Sequence, residues 1–262
     1  MLLAIDVGNT NITLGLWDGH EWRRQWRLRT VHEQTVDEYG VYLKTLLREC
    51  NSSEDVDGAI LSSVVPPLTG TFVSVCQEFL GQDAILVDSE TSTGVRIITD
   101  NPAEVGADRI VNASAAYHLY PGPSIIIDMG TATTFDAVSA NGDLIGVAIA
   151  PGLELAAEAL SKRAAQLGQV ALVAPPHAIG RNTIHAMQSG LVFGYVSLIE
   201  GMVRRFMSEM EVLGVQVIGT GGLITAITPH TTIIEHVEPW LTLTGLQIIY
   251  EMNQGGDRVA SR

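Results

Sequence analysis

Leu2-Leu-Ala-Ile-Asp6-Val-Gly-Asn-Thr10-Asn-Ile-Thr-Leu-Gly-Leu16 opens the chain with a pattern that returns at Ser124-Ile-Ile-Ile-Asp128-Met-Gly-Thr-Ala132-Thr-Thr-Phe-Asp136. In each, an apolar run ends in an aspartate, and a glycine and hydroxyl-bearing residues follow. Ile12, Leu14 and Leu16 then alternate with the period of a half-buried strand. Asp18-Gly19 signals a hairpin, and Trp22 to Leu28 return as a third strand. In the second copy Met129 to Ala132 make the turn, Phe135 and Ala137 alternate, Asn141-Gly142 signals the hairpin, and Leu144 to Ala150 return. Two copies of strand, aspartate turn, strand, turn and strand predict two similar α/β halves.

Between and after the copies, helical and strand patterns alternate. Val36, Tyr39, Leu43, Leu46 and Leu47 recur at helical spacing, Ala59 to Val65 read as a buried strand before Pro66-Pro67, and Phe72 to Leu80 give another helical face. Ala84 to Val87 suggest a short strand. The second half is expected to hold helices near 153–166 and 183–207, a strand over 215–218 and a final helix through Leu241, Leu246 and Tyr250. Ile184, Met187 and Leu191 form an apolar face on the long helix that suits either a core or a contact with a second copy. No low-complexity linker intervenes, so the expectation is one domain over 1–118 and another over 119–262, packed around a cleft.

Composition narrows the chemistry. The 262 residues are 46% hydrophobic and 17% charged, as in a folded globular protein. A net charge of −14 disfavours a phosphate backbone as partner. It does not disfavour ATP, whose phosphates bring a magnesium ion with them. No apolar run reaches the ~18–20 residues of a membrane span, and Asp6 interrupts the first one too early for a signal peptide. Cys50 and Cys76 read as small apolar residues in a reducing cytosol, so the expected setting is cytoplasmic, with no membrane and no nucleic acid. Lys44 and Lys162 are the only lysines, and neither lies in a G-x-x-x-x-G-K-[ST] loop or a V-A-I-K strand. P-loop and protein-kinase chemistry are excluded. H-E-x-x-H, paired C-x-x-C and G-x-S-x-G are absent, which weakens the zinc- and serine-hydrolase readings.

The turns themselves suit phosphate. A glycine lets backbone approach a ligand, exposed N–H groups and threonine hydroxyls hold phosphate oxygens, and the aspartate positions a metal ion or its waters. Residues 100–109 form a third constellation. Asn101 suits an N-cap, Pro102 the first helical position, and Glu104 closes a capping box, which predicts Asp108 and Arg109 on the second turn of one helix. They are either a solvated surface pair or a base that accepts a hydroxyl proton beside an anion-holding guanidinium. Gly219-Thr-Gly-Gly222, after the strand over 215–218, is either a tight turn or a nucleotide contact.

Taken together these motifs resemble the type III pantothenate kinases of the acetate/sugar kinase–Hsc70–actin superfamily. The resemblance runs through Asp6 to Asn11, Asn101-Pro102, Glu104 to Arg109, Asp128 to Thr133, Ala150-Pro-Gly152, Gly180 to Thr183 with Ser189-Gly190, Thr220-Gly-Gly222 and Leu241 to Leu246. It implies two actin-like, ribonuclease H-like domains with mixed sheets flanked by helices. It further implies ATP-dependent phosphorylation of pantothenate, the first step towards coenzyme A, in a homodimer that needs Mg²⁺ and a monovalent cation, K⁺ or NH₄⁺. By motif, ATP would be held by Asp6, Val7, Gly8, Asn9, Thr10, Asn11, Ile12, Thr13 and Thr131. Pantothenate would meet Gly106, Ala107, Asp108, Arg109 and Thr183. Asp108 would accept the proton and Asp128 would bind the monovalent cation. Thr99 stands where the family usually carries a tyrosine that contacts substrate, and Gly146-Val147 where a glycine pair is common. Two other readings remain in view: a non-catalytic nucleotide-binding regulator of this fold, and a kinase for another small hydroxyl substrate.

Overall fold

The computed structural model describes residues 1–50, 56–88, 90–163 and 167–254. The predicted helix end at 164–166 lies outside these. Strands β1 (Leu2–Val7), β2 (Asn11–Trp17) and β3 (Trp22–Arg29) form an antiparallel meander, and α1 (Val36–Glu49) follows. Thr35 and Glu38 close a capping box at the start of α1, an arrangement worth about 1 kcal/mol to a helix. β4 (Gly58–Ser63) pairs parallel with β1, α2 (Pro66–Val75) begins on two prolines, and β5 (Ala84–Leu86) adds a last parallel strand. The sheet order is β3-β2-β1-β4-β5.

The second sheet repeats this plan. After the edge strand β6 (Arg96–Ile97) and α3 (Ala107–Leu119), the strands β7 (Ser124–Met129), β8 (Ala132–Val138) and β9 (Asp143–Pro151) form the second meander. Next come α4 (Leu153–Arg163), α5 (Thr183–Gln188), a π turn over Ser189–Phe193 and α6 (Gly194–Met210). β10 (Gln216–Thr220) pairs parallel with β7, and β11 (His236–Val237) pairs parallel with β10. α7 (Leu241–Gln254) ends the described chain. The order β11-β10-β7-β8-β9-β6 is the first sheet with one added edge strand. Two mixed sheets of this topology, each with helices, make the protein an α/β structure of actin-like, ribonuclease H-like domains.

The meanders match in detail. β1 and β7 share one burial pattern, four buried residues, a half-buried aspartate and a buried last residue. Each second strand is bulged against the third near its end, at Leu16/Trp17 and Ala137/Val138. Alternate residues of the first sheet, Leu3, Ile5, Ile12, Leu14 and Leu61 among them, enter one core. Ile125, Ile127, Phe135 and Val217 enter the other.

The structure departs from the sequence reading in four places. β1 runs past Asp6 to Val7 and β7 takes in Met129, a residue expected in the turn, so both turns are shorter. One compact unit holds Met1–Arg96, Asp100–Ala115 and the chain from Thr242 onward, and the other holds Ile97–Thr99 and Ala116–Leu241. α7 from Thr242 belongs to the first unit, where its apolar face packs, with Leu243 against Gly15 and Tyr250 against Gly58. The stretch Thr183–Met210 meets the length and composition of a membrane span at mean hydropathy 1.2, which the search for an unbroken apolar run missed. Tyr195, Val196, Ile199 and Val203 put its apolar stripe into the second core. Finally, Met187 and Leu191 are buried within the chain, whereas Ile184 is exposed.

Candidate functional site

In the first unit the chain turns at Gly8-Asn9-Thr10, directly after Asp6 and Val7. The Gly8 N–H donates to the Asn11 carbonyl at 3.0 Å and the Thr30 hydroxyl donates to the Gly8 carbonyl at 2.6 Å. The Thr30 N–H holds the Thr10 carbonyl. The turn is thus pinned from β3's end while Asn9, Thr10 and Asn11 stay exposed. Val7 and Ile12 are fully buried, so their side chains serve the core and only their backbone can reach a ligand. Asp6 is half-buried and accepts a hydrogen bond from the Ser62 hydroxyl of β4. Ser62 is a residue the sequence reading left unnoticed, although a serine in an otherwise apolar strand was a usable signal.

Asp108 belongs to the same unit. The expected single helix from Pro102 is in fact two pieces: a 3₁₀ turn over Pro102–Glu104, then α3 from Ala107. The Asn101 side chain makes no cap and instead donates to the Glu104 carboxylate at 2.7 Å. Val105, extended at φ −75° and ψ 121°, separates the two pieces, so Asp108 sits on the first turn of α3. Its carboxylate accepts the Arg109 N–H at 2.8 Å. A Cβ on Gly106 would meet the Asp108 Oδ1 and the Val64 side chain, so glycine is what lets that carboxylate fold back over the loop. Burial pushes the Asp108 carboxyl above its ordinary value of 3.8, against the opposing pull of the Arg109 N–H and guanidinium. Gly106, Ala107 and Arg109 are half-buried beside it.

In the second unit the half-buried Asp128 stands opposite Thr134 on β8 and Thr220 on β10. The turn is tight: the Gly130 N–H donates to the Ala132 carbonyl at 3.0 Å, and Thr131 is exposed. Gly152 donates its N–H to the Thr131 carbonyl at 3.1 Å and approaches so closely that a Cβ would strike the Thr131 and Gly130 carbonyls. Gly221 has φ +91°, and a Cβ there would meet the Asp128 Oδ1 and the Met129 backbone. The glycine cluster is therefore a tight turn that also walls the Asp128 carboxylate. Gly219 is bare for packing, since Ile224 fills its side-chain position.

Thr183 opens α5 as an exposed residue, after Asn182, whose side chain caps the helix by accepting the His185 N–H at 2.8 Å. The Ser189 hydroxyl, donating to the Ala178 carbonyl, ties the preceding loop to the same helix. The structure so gathers Asp6 with Ser62, Asp108 with Gly106 and Arg109, and Asp128 with Gly221. Thr183 stands apart from these at the start of α5. The Thr99 Oγ1 is buried with no hydrogen-bond partner among the described residues. A Cβ at Gly146 would meet open space.

No group of three or more His, Cys, Asp or Glu side chains able to hold a metal occurs among the described residues. A single carboxylate, that of Asp6 held by Ser62, has the chemistry to meet a magnesium ion carried mainly by substrate phosphates.

Residues 2–205 match the family model described as type III pantothenate kinase. A protein of that name from Roseiflexus castenholzii is 48% identical over 255 residues, covering 97% of this chain and 100% of the relative. Another from Moorella thermoacetica is 46% identical over 254 residues, with 97% and 100% covered. Among solved structures, a conserved putative Baf family transcriptional activator from Campylobacter jejuni superposes with a TM-score of 0.63 at 18% identity, over 97% of this chain and 99% of that one, a likeness of fold.

Proposed function

The chain belongs to the type III pantothenate kinase family, and from that premise we infer that it transfers the γ-phosphoryl group of ATP to the primary hydroxyl of pantothenate, the first step of coenzyme A biosynthesis. The observation that carries the reading is the full-length match to that family, joined to two strand-end aspartates in matched meanders.

Phosphoryl transfer asks a protein for positioning and charge stabilisation more than for covalent chemistry. The turn from Asp6 to Thr13 offers backbone N–H groups and the side chains of Asn9, Thr10, Asn11 and Thr13 to the ATP phosphates, and Thr131 offers a further hydroxyl. Asp6 orients Mg²⁺ or its waters, with its carboxylate held in place by Ser62. A bound Mg²⁺ supplies charge neutralisation at the phosphates. Asp108 accepts the proton of the pantothenate hydroxyl. Its desolvated position raises its proton affinity, as a general base working near neutral pH requires. Arg109 steadies the acceptor's carboxylate through its guanidinium, and Gly106, Ala107 and Thr183 complete the acceptor contacts. Asp128, walled by Gly221, holds K⁺ or NH₄⁺. The working form is a homodimer in the cytoplasm.

The test is ATP consumption with pantothenate at saturating Mg²⁺, first in potassium and then with sodium in its place. Potassium-dependent turnover is the expected result. Nucleotide binding without turnover in either salt would move the assignment to another hydroxyl acceptor or to a regulator.

A further inference from the structure

The Ser62 hydroxyl holds the Asp6 carboxylate. A second hydroxyl, that of Thr30, holds the backbone of the same turn. Thr30 directly follows β3 and is buried. Its hydroxyl donates to the Gly8 carbonyl at 2.6 Å, and its N–H donates to the Thr10 carbonyl at 3.0 Å.

These two bonds decide which way the peptides of the turn face. The peptide bonds are trans, and in a trans peptide the N–H points opposite to the C=O of the same unit. With the Gly8 carbonyl turned to Thr30, the Asn9 N–H is turned away from it. With the Thr10 carbonyl turned to Thr30, the Asn11 N–H is turned away as well. Asn9 and Asn11 are both exposed, whereas the Gly8 N–H is spent on the Asn11 carbonyl. Thr30 thus draws two carbonyl oxygens back and leaves N–H donors in front, which is what a phosphate asks of backbone. Glycine at position 8 gives the tie its purpose. Without a Cβ the backbone there rotates easily, so a Gly8 carbonyl released from Thr30 is free to swing forward and oppose phosphate oxygens.

The tie is anchored from the core. Beside Thr30, Val31 has both backbone groups on the Tyr39 hydroxyl, which donates to the Val31 carbonyl at 2.9 Å and accepts the Val31 N–H at 3.0 Å. Tyr39 is buried in the first core and lies against Phe72, with ring centroids 4.8 Å apart. The second meander shows what the hydroxyl adds. There the residue directly after the third strand is Gly152, whose N–H donates to the Thr131 carbonyl as that of Thr30 does to Thr10. Gly152 has no side chain to hold the Gly130 carbonyl, and a Cβ would strike that oxygen. The backbone half of the tie is repeated and the hydroxyl half is not.

We propose that Thr30 is a positioning residue for nucleotide binding: its hydroxyl fixes the Gly8–Asn9 peptide so that the Asp6 turn presents N–H groups to the phosphates of ATP. Holding the peptide in advance spares the binding step the cost of ordering it. The assignment deepens the kinase reading of this site and rests on it for the identity of the ligand.

The test uses the full chain. Binding of Mg·ATP and of adenosine is measured calorimetrically for the wild type, Thr30→Val, Thr30→Ser and Thr45→Val, and steady-state kinetics follow. Thr30→Val keeps the shape and loses the hydroxyl. It should weaken Mg·ATP binding by roughly 3- to 10-fold, the worth of one intramolecular hydrogen bond, with the KM for ATP rising in step. Adenosine binding and the KM for pantothenate should not move, which a general loosening of the fold would not spare. Thr30→Ser restores the hydroxyl and should recover most of the affinity. Thr45→Val makes the same change at an exposed threonine of α1, whose hydroxyl donates to the Val41 carbonyl, and should match the wild type. Should Thr30→Val fail to fold, Thr30→Ala carries the same expectation. Unchanged Mg·ATP affinity without the Thr30 hydroxyl would overturn the proposal, and so would an equal loss for Mg·ATP and adenosine. A wild type that binds Mg·ATP yet leaves pantothenate untouched would overturn the acceptor assignment alone, because the comparison of ATP with adenosine still decides Thr30. A wild type that binds no Mg·ATP would overturn both.

Discussion

The two meanders are the same object folded twice and furnished differently. They share strand order, bulge position and the burial of their aspartates. They differ in what surrounds the carboxylate. Asp6 pairs with Thr13 and Asp128 with Thr134, so the first turn is one residue longer and exposes one more backbone group. Asp6 receives a hydroxyl from β4, whereas the Asp128 carboxylate meets a glycine after β10. The outer strand holds four arginines in the first copy and no basic residue in the second. Topology thus supplies two equivalent strand ends, and a handful of side chains gives each a different surrounding.

The sharpest way to break this comparison is to remove a carboxylate from each role. Asp108→Asn should lower kcat by about 10²–10⁴, the usual contribution of a general base, while Mg·ATP still binds. Near-normal turnover would take Asp108 out of the mechanism. The same variant has a second signature. Because burial raises the folded-state pKa of Asp108, its ionised form costs stability at every pH above that raised value. Asn at this position removes the cost, so the variant should melt above the wild type at neutral pH. The gap should close as the pH falls through the raised pKa towards the ordinary 3.8. Wild-type kcat/KM should fall over the same window as the base is protonated. A melting difference independent of pH would show that the carboxylate is not desolvated.

Next in size is the contrast between the strand-end aspartates. Asp6→Asn should depress turnover in potassium and sodium alike, because it loosens the phosphate end of the reaction. Asp128→Asn should instead flatten the difference between the two salts. Equal salt responses in the two variants would mean that the meanders are not specialised in the way their surroundings suggest.

Much of this architecture was legible in the sequence, because a repeated Asp-x-Gly turn flanked by period-two alternation leaves few other folds. The parts that escaped share a physical cause. The break before α3 depends on Val105 adopting an extended backbone, and a favourable run of Asn101, Pro102 and Glu104 concealed it. The return of α7 to the first unit depends on bare glycines at 15 and 58, far away along the chain. Ser62 meets Asp6 through strand register, which places residues from distant segments in one row. Local propensity carries no information about that. The Asp6 turn itself was visible because its chemistry and its backbone demand fall within a few consecutive residues.

The smallest effect compares two glycines for such a demand, Gly221 just after β10 and Gly146 within β9. Gly221 and Gly146 both lie in the second unit, and they make opposite predictions. Gly221→Ala would force a Cβ onto a φ of +91° and into the Asp128 Oδ1, so it should cost about 1–3 kcal/mol. It should also dull the potassium response by displacing that carboxylate. Gly146→Ala meets open space at an ordinary backbone conformation and should stay within about 0.5 kcal/mol of the wild type, with the potassium response intact. Thermal melts and the two-salt assay on both variants separate a glycine required by its neighbour from one that is merely present. A large loss at Gly146 would place a second body, such as another copy of the chain, against that face of β9.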